Sequence, residues 1–258
     1  MASSTKSGSA ISFSWSTSAN KKPKESAPPP PAATPTPPPS ASAAALLAST
    51  PSNVANAILQ FNLCIGEYAH RSWTEEFFPH VPTGILLHEI SRFLLDALAP
   101  HNEVDLVMSA PKVRVTLLDR PTLNQIFIYL GALPYREMVR KTVLRSQQRQ
   151  QETMLGSELW RWLLDPSRVA EPSPLADGFS DIVPLHRVNQ EKLRIQGLAM
   201  CFETLRRENP SVCSRFLYKL DRTDCEQAAR MSQVPLIENH TITNLLKERF
   251  EPWHWVLS

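Results

Sequence analysis

DRPTLNQIFIYLGALPYREMVRKTVLRSQQRQ, residues Asp119 to Gln150, reads as two helices joined at a glycine. Leu123, Ile126, Phe127 and Leu130 stand at i, i+3, i+4 and i+7, which places four apolar side chains on one face of a helix with 3.6 residues per turn. Pro121 opens this helix and Gly131 is expected to close it. Pro134 then suits the first turn of a second helix, with Met138, Val139, Thr142 and Val143 turned inward and Arg136, Arg140, Lys141, Arg145 and Arg149 outside. A helical body organised around this pair is the first expectation.

Outward from that pair, the same reading recurs. TGILLHEISRFLLDALAP supplies an amphipathic helix with Ile85, Leu86, Ile90, Phe93, Leu94, Ala97 and Leu98 inside. Asn189 to Glu208 forms another, with Leu193, Gly197, Met200, Cys201 and Leu205 on or near one face. A glycine inside a helix costs about 1 kcal/mol against alanine, so Gly197 predicts the close approach of a second helix. Asn209-Pro210 gives an N-cap and a first-turn proline to a following helix that carries Val212, Phe216 and Leu220, and the two should pack as a hairpin. LWRWLL places Trp160 and Trp162 on roughly opposite sides of a short helix, so one can be core and the other, taken as Trp162, exposed for docking. KVRVTLL alternates Val113, Val115 and Leu117 with polar residues, the period of a strand, and allows at most one small β element in a mainly α fold.

Residues 1–52 are rich in Ser, Ala and Thr and contain ten prolines; such a segment buries too little apolar surface to offset its ordering entropy and is expected to be a disordered tail. The helical domain is then residues 53–258, with a loop at 166–187 and an aromatic end, PWHWVLS, that either docks on the body or awaits a partner. The formal charge of the whole chain is +2, and four lysines against one glutamate up to Asn53 leave the body near −1. Basic and acidic residues are interspersed, which is not the clustered positive footprint of a nucleic-acid binder. Four dispersed cysteines, no apolar run near ~20 residues and no apolar signal segment make a soluble protein of a reducing cytoplasm the expectation.

Chemistry is sparse. HEISR at His88 to Arg92 has arginine where a zinc-protease helix needs its second histidine. His70, Glu75, Glu76 and His80 form the one group from which a metal-dependent hydrolase can be argued, although their spacing matches no recurring ligand pattern. Cys201, Cys213 and Cys225 recur every twelve residues, but cysteine on an apolar helix face behaves as a small hydrophobe. GxGxxG, GxxxxGK[ST] and GxSxG are all lacking, so no cofactor is expected. What stands out is the basic face of Arg136, Arg140, Lys141, Arg145 and Arg149, either a solvated helix face or a docking surface for an acidic protein. The proline-rich tail leaves an effector or regulator that binds through it as a further alternative.

FNLCIGEYAHRSW with Tyr68 and His70, LNQIFIYLGALPYREMVRKTVLRS with Leu130-Gly131 and Arg140, and RIQGLAMCFETLRRENPSVCSRFLYKLD with Gly197, Pro210 and Leu217 together resemble the SctK (YscK/PscK) family of bacterial type III secretion proteins. The resemblance covers about residues 58 to 220. It implies a cytoplasmic, mainly helical, non-enzymatic adaptor of the sorting platform beneath the inner-membrane ring. Its implied partners are the cytoplasmic domain of the SctD-like ring protein and the SctQ-like pod protein, and through the pod the SctL stator and the SctN ATPase. Neither nucleic-acid binding nor membrane insertion is implied.

Overall fold

Pro210 and Asn209 show how directly local chemistry sets this fold. Asn209 Oδ1 accepts a hydrogen bond from the Val212 amide at 3.0 Å, and Pro210 opens the helix that follows. The computed structural model describes residues 52–78, 85–98, 104–165, 187–231 and 234–257, and the expected tail at 1–52, except Ser52, and most of the loop at 166–187 lie outside them. Among the described residues the fold is helical throughout, with no strand.

In chain order the helices are α1 Ser52–Leu63, α2 Ile65–Tyr68, α3 Ile85–Ala97, α4 Pro111–Arg114, α5 Arg120–Ala132 and α6 Arg136–Lys141. They continue with α7 Arg145–Leu155, α8 Ser157–Leu164, α9 Gln190–Glu208, α10 Pro210–Lys219, α11 Arg222–Ala229 and α12 Asn239–Arg249. A 3-10 segment, Glu251–Leu257, ends the described chain. Three of the longer helices start on side-chain caps: Asp119 accepts from Thr122 N, Asn189 from Lys192 N and Asn209 from Val212 N.

At the centre, α5 crosses α9. α5 buries Leu123, Ile126, Phe127 and Leu130, the four residues of its apolar stripe, and α9 is buried almost all round from Leu193 to Leu205. Gly131 does not close α5. It lies inside the helix, where an added Cβ would overlap the Leu193 carbonyl, while a Cβ on Gly197 would overlap the Phe127 carbonyl. The helix approach expected at Gly197 is therefore present, and α5 is the partner. α10 packs beside α9 through Phe216, whose ring meets Phe127 and Phe202 edge-on at 6.3 and 6.1 Å.

A smaller apolar cluster joins Ile65 of α2 to Ile90 and Leu94 of α3 and to Leu98 just after it. The inward set expected for α3 is narrower than its periodicity suggested: Leu86 and Phe93 are 38% and 40% exposed. Phe93 packs instead on Phe77 and Phe78, with ring centroids 5.3 and 6.1 Å away, and Phe77 is itself exposed. FNLCIGEYAHRSW is likewise helical, over α1, α2 and a 3-10 turn at Arg71–Trp73.

KVRVTLL is not a strand. Pro111 starts α4 from an extended Ala110, and a 3-10 turn, Val115–Leu117, continues it. Val113, Val115, Thr116 and Leu118 are all buried, so a seven-residue segment lined with apolar contacts shows alternation without being extended. The C-terminal aromatic segment is docked: Val256 is fully buried, and its carbonyl accepts from Arg114 Nη1 at 3.3 Å.

Candidate docking surface

The second helix of the opening pair is broken. After a 3-10 turn at Leu133–Tyr135, α6 lasts six residues, Thr142 to Leu144 run extended, and α7 begins at Arg145. The bend is pinned through Thr142. Its amide donates to Val139 O at 3.2 Å and its hydroxyl to Met138 O at 2.9 Å. From the other side Gln148 Nε2 donates to the Thr142 carbonyl and Gln151 Nε2 to its hydroxyl, each at 2.8 Å. Gln148 and Gln151 thus hold α7 back against the turn.

This break overturns part of the expected surface. Arg136 is 4% exposed, because the 3-10 turn ahead of α6, itself buried, shifts the helical phase and rotates Arg136 inward. Val143, expected inside, is 85% exposed, Leu144 is 60% and Met138 43%. Arg140 is half-buried and caps the end of α8, its Nε donating to Leu163 O at 3.2 Å and its Nη2 to Asp165 O at 2.6 Å. A cation at that end also complements the helix dipole. Trp162 is core, 5% exposed, with its ring edge-on to Tyr129 at 4.9 Å. The signal was present: Leu159, Trp162 and Leu163 share one helical stripe at i, i+3 and i+4, whereas Trp160 lies off it and is half-buried.

What remains at the surface is Lys141, Arg145 and Arg149 beside Val143 and Leu144. Lys141 lies 3.7 Å from Glu137, one turn away. Arg145 begins α7, whose first turn holds no acidic residue and whose N-cap, Leu144, offers no side-chain acceptor. A positive side chain there adds to the positive end of the helix dipole instead of offsetting it. Arg149 follows one turn later on the same side.

Of the histidine and glutamate group, His70, Glu75 and Glu76 are among the described residues. Ser72 N donates to His70 Nδ1 at 3.2 Å, and Asp221 Oδ2 lies 3.4 Å from the same nitrogen. Glu75 and Glu76 are exposed, Glu75 beside Arg71 at 3.9 Å, and His80 is outside the described residues. Among the described residues no three His, Cys, Asp or Glu side chains come together as a metal site. Cys201, Cys213 and Cys225 are buried free thiols, and burial raises the pKa of each, that of Cys213 to about 12.

A cavity of about 320 Å³ lies between α1, α10 and the C-terminal segment, walled by Phe61, Tyr68 and Trp253, with Asp119, Arg120 and Lys219 at its polar side. Lys219 is 7% exposed; its Nζ donates to Thr116 O at 2.9 Å and stands 5.6 Å from the Tyr68 ring centroid. Burial lowers its pKa to about 7, with the charge of Asp119 acting the other way. Arg120 is spent on the Tyr68 and Ala69 carbonyls, at 2.7 and 3.0 Å. Sequence reasoning missed this lysine, although it stands seven residues after Val212 and three after Phe216, on the stripe that α10 buries.

These features define a class: a helical protein with a glycine-notched central crossing and a rigid basic and aliphatic projection on its surface. Among the described residues no helix is long and apolar enough to cross a membrane. The family model described as YOP proteins translocation protein K (YscK) matches residues 56–247, about three quarters of the chain, and the chain belongs to that family of type III secretion proteins. The match runs past the motifs quoted above to take in α11 and most of α12. No curated protein and no solved structure matches it.

Proposed function

We propose that the chain is a non-enzymatic cytoplasmic adaptor of a type III secretion sorting platform. It links the cytoplasmic domain of an SctD-like inner-membrane ring protein to an SctQ-like pod protein, and through the pod to SctL and SctN. The observation that carries this reading is family membership across the helical body, residues 56–247. The pinned bend between α6 and α7 supports it, since a rigid surface loses little conformational entropy on binding. Lys141, Arg145 and half-buried Arg140 belong to that surface, while Arg136 and Trp162 support it from within.

Co-expression of the full chain with the ring and pod proteins, followed by affinity purification and gel filtration, tests the reading. Capture of both is the expected result. A chain with native circular dichroism that captures neither sinks it.

A further inference from the structure

Val143 and Leu144 are neighbours in sequence, both branched aliphatics, and 85% and 60% exposed. Single exposed apolar residues are ordinary on protein surfaces. This pair differs in being held out. Four hydrogen bonds at Thr142, two that it donates to α6 carbonyls and two that it accepts from glutamines of α7, fix the extended backbone from which both side chains project. Met138, one turn before Thr142, is a third partly exposed apolar side chain, 43% exposed.

Its electrostatic frame is mainly basic, with one half-buried carboxylate, Glu152, further along α7. Arg145 and Arg149 follow the aliphatic pair at one-turn spacing and form no ion pair among the described residues. Glu137, the acidic residue of α6, is engaged with Lys141. Two unpaired guanidinium groups one helical turn apart match two carboxylates at the same spacing, and the apolar strip beside them matches an aliphatic stripe.

We propose that the α6–α7 bend is the docking site for an acidic amphipathic helix of a partner protein. Val143 and Leu144 enter its apolar face, and Arg145 and Arg149 pair with carboxylates at i and i+4 flanking that face. This deepens the adaptor reading by assigning a surface and a partner chemistry, and it rests on that reading for its biological setting only. Apolar contact supplies the affinity, and the arginines supply orientation and salt dependence.

The test uses the full chain and a fluorescein-labelled 20-residue designed helix with a leucine stripe flanked by glutamates at i and i+4; the control replaces those glutamates with lysine. The expected result is saturable anisotropy with the acidic helix alone, weakening as salt rises. Binding should fall about tenfold in Val143→Ser/Leu144→Ser and again in Arg145→Glu/Arg149→Glu, with circular dichroism unchanged. Equal binding of both peptides, binding of neither, or unaltered binding by a folded variant overturns the proposal. Concentration-dependent self-association abolished by Val143→Ser/Leu144→Ser also overturns it, since the occupant would then be a second copy. Failure of co-purification with a positive peptide result would remove the adaptor reading and leave the docking site standing.

Discussion

Gly131 of α5 and Gly197 of α9 lie against one another's helices: a Cβ added at Gly131 would stand 2.9 Å from the Gly197 amide nitrogen and overlap the Leu193 carbonyl. Each glycine removes the side chain that would hold the two backbones apart. Both obstacles are backbone atoms, which no rotamer change can move aside. Gly197→Ala should therefore destabilise the protein by about 2–3 kcal/mol despite alanine's better helix propensity, and Gly131→Ala by a similar amount. Urea denaturation checks both. A neutral result would mean that the helices can slide apart without loss.

Lys219 gives the protein a pH dependence whose sign is fixed. With its pKa lowered to about 7 in the fold against 10.5 in the unfolded chain, the unfolded state binds more protons between those values, so stability rises as pH rises from 7. Below 7 that contribution is lost. Buried Cys201, Cys213 and Cys225 act oppositely above pH 9, where unfolded thiols ionise and folded ones do not. The expected profile gains about 1–2 kcal/mol from pH 7 to 8.5 and then declines. Lys219→Met should flatten the first limb, as measured by urea midpoints at pH 6.5, 7.5 and 8.5.

Arg136 and Arg145 look equivalent as sequence, yet one is 4% exposed and the other lies on the surface. Arg136→Glu places a carboxylate at a buried position and should cost about 3 kcal/mol or more. Arg145→Glu should change stability by less than about 0.5 kcal/mol, or stabilise slightly by complementing the α7 dipole. Thermal melts of the two variants side by side discriminate the observed burial from a continuous, solvent-facing basic helix.

The segment Glu251–Leu257 is held to the body by fully buried Val256, by Arg114 and by His254, whose Nε2 lies 3.1 Å from Leu246 O. Truncation after Phe250 should expose α4 and α12 and lower the stability by about 3 kcal/mol or more, roughly 10 °C in Tm for a body of this size. An unchanged melt would show that the segment docks without contributing.

Local chemistry alone determined much of this protein. The stripe at Leu123, Ile126, Phe127 and Leu130, the caps at Asn189 and Asn209 and the glycine at Gly197 each act within a turn or two of chain, so their consequences follow from spacing. The family resemblance rested on the same stretches, and the family match at 56–247 includes them. Tertiary structure decided what depends on helical phase and on distant partners. The 3-10 turn at Leu133–Tyr135 turned Arg136 inward, and Gln148 and Gln151 reached back to break at Thr142 a helix that the sequence reads as continuous. The alternation of KVRVTLL became helical because burial of so short a segment is satisfied by turns as well as by a strand. A rotation of a few tens of degrees exchanges core for surface on a helix, and the contacts that set that rotation lie outside the segment's own sequence.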